Sequence, residues 1–286
     1  MLDTTGVSDE RLLRLREAAL RIRENSLIQA EVQGQGYIGQ ALGVSDILAA
    51  LYTDQMRFRP EEPEWEHRDR CLLSIGHYAL ALYAALVEAK VLPFEELESY
   101  AADDSRLPMS SMSTYTPGVE ISGGSLGHGL GIAVGIALGL RRKDSDSHVF
   151  NILSDGELGE GSTWEAALEA AQHQLSNITA VVDFNGLQAD GPSQDMLSTE
   201  PVDEKFRAFG WEAIRVDGND PAQIVLGLEA LRANQDQPGV LICNTKVGKG
   251  VPMLEDREKL HFMRVAEDEW TQARAQLKEV FDNESK

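Results

Sequence analysis

The sequence predicts an α/β fold. It reads as a single domain over residues 1–286, with a mostly parallel sheet covered by helices on both faces. Three observations carry this. The second half alternates short β-branched runs with helical stretches, the pattern of βαβ units. The candidate strands, such as Val149 to Leu153 and Ile178 to Asp183, are almost continuously apolar and so suit a sheet buried on both sides. No linker, internal repeat or low-complexity tract interrupts the 286 residues, 42% of which are hydrophobic.

Taken in order, Asp9 to about Glu31 is a helix, with Leu12, Leu13, Leu15, Ala18, Ala19 and Ile22 on one stripe. Gly34 to Gly43 is glycine-rich and reads as a loop. Val44 to Tyr52 reads as a buried helix, and Arg59 to Glu64 as an acidic turn. Cys71 to Ser74 is a short strand, followed by Ile75-Gly76-His77 and a helix from Ala79 to Ala89. Leu107 to Gly124 is irregular. Leu126 to Leu138 is a helix of small residues, which implies close packing against a sheet or a neighbouring subunit. Then follow strand Val149–Leu153, helix Ser162–His173, strand Ile178–Asp183, helix Val202–Phe209, strand Trp211–Val216, helix Ala222–Ala233 and strand Val240–Thr245. An amphipathic helix runs from Glu267.

Charge narrows the function. Lys and Arg number 26 against 47 Asp and Glu, a net charge of −21. Such a chain repels nucleic acid and anionic membranes, so any phosphate must be held locally by backbone N–H groups, His or a metal ion. No apolar run is long enough to span a bilayer, and the N-terminus has no basic and apolar leader, so a cytoplasmic protein is expected. Cys71 and Cys243 sit in apolar runs as buried thiols, without a CxxC site.

In parallel sheets ligands bind beyond the carboxyl ends of the strands. Gly34-Gln-Gly36-Tyr-Ile-Gly39 matches a dinucleotide fingerprint literally, but a long helix precedes it where a strand is required. The stronger signal is Ser154-Asp155-Gly156-Glu157 through Gly161, together with Asp183-Phe184-Asn185-Gly186-Leu187. Asp-Gly and Asn-Gly are ordinary turn dipeptides. Both close predicted strands, however, so a carboxylate and an amide oxygen can meet at one sheet edge. That is a hard-cation donor pair. Mg²⁺ there would need further oxygens from a diphosphate, a carbonyl and water. Gly156 lets a phosphate approach the backbone, and the helix near Ser162 offers its N-terminus.

The stretch from Ser154 to Gly191 resembles the thiamine-diphosphate motif of transketolases, and is most similar to the N-terminal subunits of split, two-chain transketolases. The motif's first glycine is Ser154 here. Leu73 to His77, Thr116 to Gly129 and Gly248 to Val251 followed by His261 resemble further family segments, in the family's order. The resemblance implies roles. Asp155, Asn185 and the Leu187 carbonyl would hold Mg²⁺ (or Ca²⁺). His77, the Gly156 backbone and His261 would contact the diphosphate of thiamine diphosphate, and Glu157 joins the cofactor-binding set. Gly124 and Leu126 would contact the aminopyrimidine ring. Glu160 would be the interface glutamate that links active sites. His67, His128, His148 and His173 receive no role, although His128 stands where the family has Gln.

The same resemblance implies a missing partner. A full transketolase has three domains, and this chain has room for the diphosphate-binding one. A C-terminal subunit would supply the pyrimidine-binding domain and the carboxylate that activates the cofactor, in an α₂β₂ assembly. Alone, the chain should bind cofactor weakly and catalyse nothing. The implied activity is transfer of a two-carbon ketol or acyl unit to an aldehyde. Competing readings are a deoxyxylulose-phosphate-synthase-like or 2-oxo-acid-dependent acyloin enzyme subunit, and a catalytically silent scaffold. Two departures bear on the donor. Tyr37 and Ser110 fall where the family has donor-site histidines. An imidazole donates, accepts and titrates near neutral pH; Tyr37 brings an apolar ring, and Ser110 leaves space. This implies a donor other than an ordinary ketose phosphate, such as pyruvate or an unusual ketose. Shifted loops, with His128 or a partner residue in the role, are the alternative.

Overall fold

The computed structural model describes residues 4–255, 257 and 261–284. Its centre is a five-stranded parallel sheet. In chain order the strands are β1 (Arg70–Leu73), β2 (Val149–Ser154), β3 (Ile178–Phe184), β4 (Glu212–Asp217) and β5 (Gly239–Asn244); in space they run β1-β2-β3-β5-β4. The helices are α1 (Asp9–Gln33), α2 (Ile38–Ala50), α3 (Ala79–Glu88), α4 (Gly129–Arg142), α5 (Gly161–Gln172), α6 (Val202–Ala208), α7 (Pro221–Ala233) and α8 (Glu269–Glu284), with shorter turns between them. The α/β class and the cover on both faces agree with the sequence reading.

Strand alternation builds two apolar cores. Phe150 and Ile152 of β2 point towards α1, α2, α3 and α7, whereas Val149 and Leu153 point towards α4, α5 and α6. All six residues of β2 are buried, as a central parallel strand requires. Local chemistry sets the helix ends. Ser8 accepts the Arg11 N–H at the start of α1, and Gly34, at φ +66°, closes its far end. Asp220 caps α7 ahead of Pro221.

Two stretches depart from the sequence reading. The loop expected over Gly34–Gly43 ends at Tyr37, because α2 already begins at Ile38. Its later glycines serve packing. A Cβ on Gly43 would lie 2.8 Å from the Lys246 carbonyl oxygen, and Gly39 O accepts the Gly248 N–H at 2.8 Å. The segment thus docks α2 against the loop after β5. The helix expected from Leu126 starts three residues later, at Gly129, because Gly127 stands at φ +81°. As for the literal dinucleotide fingerprint, Gly34 ends a long helix, and Gln35–Gly36 pair with Met263–Arg264 in a two-residue antiparallel ladder.

Candidate active site

Register brings the chemistry together. Ser154 stands opposite Asp183, and Asp183 opposite Cys243, so β2, β3 and β5 end level at one sheet edge. Asp155 follows directly in a tight turn. It is 1% exposed, and burial pushes its carboxyl up to about 6. Ser193 Oγ donates to Asp155 Oδ2 at 2.7 Å, the Gly156 and Gly186 N–H groups support it, and nearby Asp183 raises it further. Among the described residues no Lys, Arg or His is paired with Asp155. An uncompensated buried carboxylate is costly unless a cation joins it.

Asn185 reaches the same edge from β3. Its Oδ1 accepts the Leu187 N–H at 2.9 Å, which sets Leu187 beside it; the Leu187 side chain packs on the first core. Its Nδ2 donates to Asp183 Oδ2 at 2.8 Å and to the Tyr78 hydroxyl at 3.0 Å. Among the described residues no three His, Cys, Asp or Glu side chains cluster as a metal site. The side-chain oxygens of Asp155 and Asn185 and the backbone carbonyls at this edge are hard donors that could hold a cation completed by ligand oxygens.

The other side of the cleft is aromatic. His77 follows β1, and its ring lies 4.6 Å from Tyr37 and 5.7 Å from His261, centroid to centroid. Burial, and secondarily His261, lowers His77 to about 4, so its imidazole is neutral at physiological pH. His261 is lowered by burial, against a raising influence from Asp190. Its Nδ1 lies 3.1 Å from Gln40 Nε2, while Gln40 Oε1 is buried without a partner. Phe262 packs edge-on to Tyr37 at 5.1 Å.

Glycines between these walls permit close approach. A Cβ on Gly76 would sit 2.4 Å from the Gly123 carbonyl carbon, and one on Gly124, at φ +111°, would sit 2.9 Å from Ser110 Oγ. Ser110 donates to Gly123 O at 3.3 Å, which ties it to the Gly123–Gly124 turn. Leu126 is half-buried against the first core. A Cβ on Gly156 would be in ordinary contact with Ser154 Oγ, at 3.6 Å. Glu157 is placed differently from a ligand contact. Its carboxylate is buried and turned inward, accepting from Ser74 Oγ, from the Gly127 N–H at 2.9 Å and from the Ser154 N–H at 3.4 Å. It brackets the ends of β1 and β2 to the start of α4. Glu160 is exposed at the N-terminus of α5, against Gly127.

Comparison with known proteins decides the family. The profile "Transketolase, thiamine diphosphate binding domain" matches residues 16–284. The chain belongs to the transketolase family. It is 59% identical, over 91% of its own length and 93% of the relative's, to an uncharacterised transketolase family protein of Sinorhizobium fredii. It is 38% identical to one subunit of the apulose-4-phosphate transketolase of Actinobacillus succinogenes, over 90% of this chain and 93% of that one. It is 36% identical to a 6-deoxy-6-sulfo-D-fructose transketolase subunit of a Clostridium species, over 94% and 98%. A solved transketolase variant from Pichia stipitis superposes with a TM-score of 0.84 at 28% identity, over 93% of this chain but 40% of that one. The chain thus spans less than half of that transketolase's length.

Sequence reasoning gave no role to Asp183, Tyr78, Thr245, Ser193 or Gln40. Asp183 was visible as a strand-end acid two residues before Asn185. The others had no local signal, since Tyr78 meets Asp183 across 105 positions and Gln40 meets His261 across 221.

Proposed function

We propose that this chain is the thiamine-diphosphate- and Mg²⁺-binding subunit of a two-component transketolase-like enzyme that moves a two-carbon unit to an aldehyde acceptor. The observation that carries the proposal is the buried Asp155 carboxylate, paired with no Lys, Arg or His among the described residues, beside the oriented Asn185 amide at the ends of β2 and β3. Asp155, Asn185 and the Leu187 carbonyl would hold Mg²⁺ (or Ca²⁺), which in turn neutralises the diphosphate. Neutral His77 and His261 would each donate one N–H to it, and Gly156 would admit it to the backbone. Gly124 and Leu126 would back the aminopyrimidine ring. Bound thiamine diphosphate supplies a carbon nucleophile that takes up and releases the two-carbon unit.

The partner would be a C-terminal transketolase-like subunit carrying the pyrimidine-binding domain, in an α₂β₂ assembly. Subunit names among the relatives and the limited span against the Pichia enzyme support this. So does an open helix face. A Cβ on Gly131, Gly135 or Gly139 of α4 would meet nothing within 4 Å, and neighbouring Ile132 and Leu168 are 44% and 52% exposed. Glu160 would lie at that interface. Calorimetry of the co-expressed complex with Mg²⁺ and thiamine diphosphate tests the proposal: no binding, or unchanged affinity in Asp155→Ala, would defeat it.

One further observation bears on the donor. Tyr37 is fixed in a wall of His77, His261 and Phe262, and Ser110 is tied to Gly123. Tyr37 and Ser110 offer hydroxyls where an imidazole would titrate near neutral pH. We read this as a site for a donor other than an ordinary ketose phosphate, and relatives named for unusual sugars support that reading.

A further inference from the structure

Resting on that reading, we propose that Tyr78 is a positioning residue for the cation. Its hydroxyl, with Asp183 and Thr245, locks the Asn185 amide in the one orientation that presents oxygen. Asn185 is the only side-chain ligand besides Asp155 in the set above, and an amide can present either oxygen or N–H₂. Its Nδ2 donates to Asp183 Oδ2 at 2.8 Å and to the Tyr78 oxygen at 3.0 Å, two acceptors that lie 2.8 Å apart on the same side of the amide. Rotating the amide by half a turn would set Oδ1 against the Asp183 carboxylate and an N–H against the Leu187 N–H. Both contacts would set like partial charges against each other at a partly buried site.

Asp183 can serve as the anchor because it is itself held on both oxygens. The Tyr78 hydroxyl donates to Oδ2 at 2.8 Å, and the Thr245 hydroxyl donates to Oδ1. Tyr78, Asp183 and Thr245 lie at or just beyond the ends of β1, β3 and β5, so three strand ends converge on one amide. Tyr78 also follows His77 directly, their rings perpendicular at 5.0 Å. A single residue therefore couples the cation side of the cleft to the loop that carries the diphosphate-side imidazole. Outer hydrogen-bond partners of this kind govern metal affinity in other proteins.

The test uses the full chain purified with its co-expressed partner, and Mn²⁺ as the probe. Free Mn²⁺ is followed by electron paramagnetic resonance in the presence of thiamine diphosphate. Tyr78→Phe keeps the ring and removes only the hydroxyl; it should weaken Mn²⁺ binding on the order of 10-fold. Thr245→Val, which loosens Asp183 from its other side, should weaken it in the same direction by less, and it carries the test if Tyr78→Phe does not fold. The decisive comparison is Tyr78→Phe in an Asn185→Ala background. A residue acting through Asn185 adds no further loss there, whereas a merely structural one adds its full effect. Unchanged Mn²⁺ affinity in a folded Tyr78→Phe complex, unchanged affinity in Thr245→Val where Tyr78→Phe does not fold, or additive losses in the double variant, overturns the inference. A wild-type complex that binds no Mn²⁺ overturns the proposed function instead, and the two failures are distinct.

Discussion

Replacing Asp155 by Asn should stabilise the ligand-free chain while destroying its capacity for cofactor. The carboxyl is 1% exposed and is raised from 3.8 to about 6, chiefly by burial. Raising the carboxyl that far corresponds to about 3 kcal/mol against the charged form. The sign follows from linkage. The folded chain holds this proton more tightly than the unfolded one, so folding is unhindered below the unfolded pKa. It is penalised increasingly as pH rises towards 6, and the full penalty applies above that. Asparagine keeps the shape and can still accept from Ser193, but it carries no charge to desolvate.

Urea unfolding of wild type and Asp155→Asn, without metal, measures this directly. The variant should be more stable by about 3 kcal/mol at pH 8 and by roughly half that at pH 5. The comparison should stop short of the isoelectric point near 4.6, where net charge no longer opposes association. With the partner subunit, Mg²⁺ and thiamine diphosphate all present, wild type should gain binding stabilisation that the variant cannot. A variant less stable than wild type at pH 8 without ligands would refute the reasoning: Asp155 would then be a structural acceptor rather than a carboxylate awaiting a cation.

The remaining predictions concern neighbouring groups. Asn185→Ala should lower cofactor affinity by about 10-fold or more in calorimetry, since cation and diphosphate are held as a unit. His77 should titrate near 4 in histidine NMR of the ligand-free protein and rise when a diphosphate binds; a midpoint above 6 without ligand would contradict its burial. Gly76→Ala forces a carbon to 2.4 Å from Gly123 and should destabilise by about 2 kcal/mol or more in denaturant titration. In a donor panel with the reconstituted complex, pyruvate or an unusual ketose should outperform xylulose 5-phosphate. Ordinary transketolase efficiency with xylulose 5-phosphate, and none with pyruvate, would defeat the altered-donor reading.

What the sequence revealed and what it hid divide along physical lines. The strand-end pairs Asp155-Gly156 and Asn185-Gly186 were legible because turn chemistry and strand periodicity are local, and parallel pairing then brings their ends level. The inward role of Glu157 was not legible. It depends on Ser74 and Gly127, which reach it only once β1, β2 and α4 are assembled. The helical glycines of α2 misled for a related reason. Glycine marks a turn in sequence, but Gly43 is small because a carbonyl of a distant loop presses on it. The orientation of Asn185 lay further out of reach still, since it is fixed by residues from three separated strand ends.

The arrangement also explains how a chain of net charge −21 can hold an anion. In the proposed reading no Lys or Arg meets the diphosphate. The His77 imidazole is neutral at physiological pH, and the side chains that meet Asn185 at this edge include acids, not bases. Without a cation, a diphosphate would face the Asp155 carboxylate and two weak N–H donors. Without a diphosphate, a cation would find one carboxylate and one amide oxygen, too few to replace its water. Each ligand therefore supplies the charge or the oxygens that the other lacks, and their binding is cooperative by composition. The long-range field of the chain would then disfavour free phosphates in general, while in the proposed reading the oriented Asn185 oxygen and Asp155 would select the cation-bearing form.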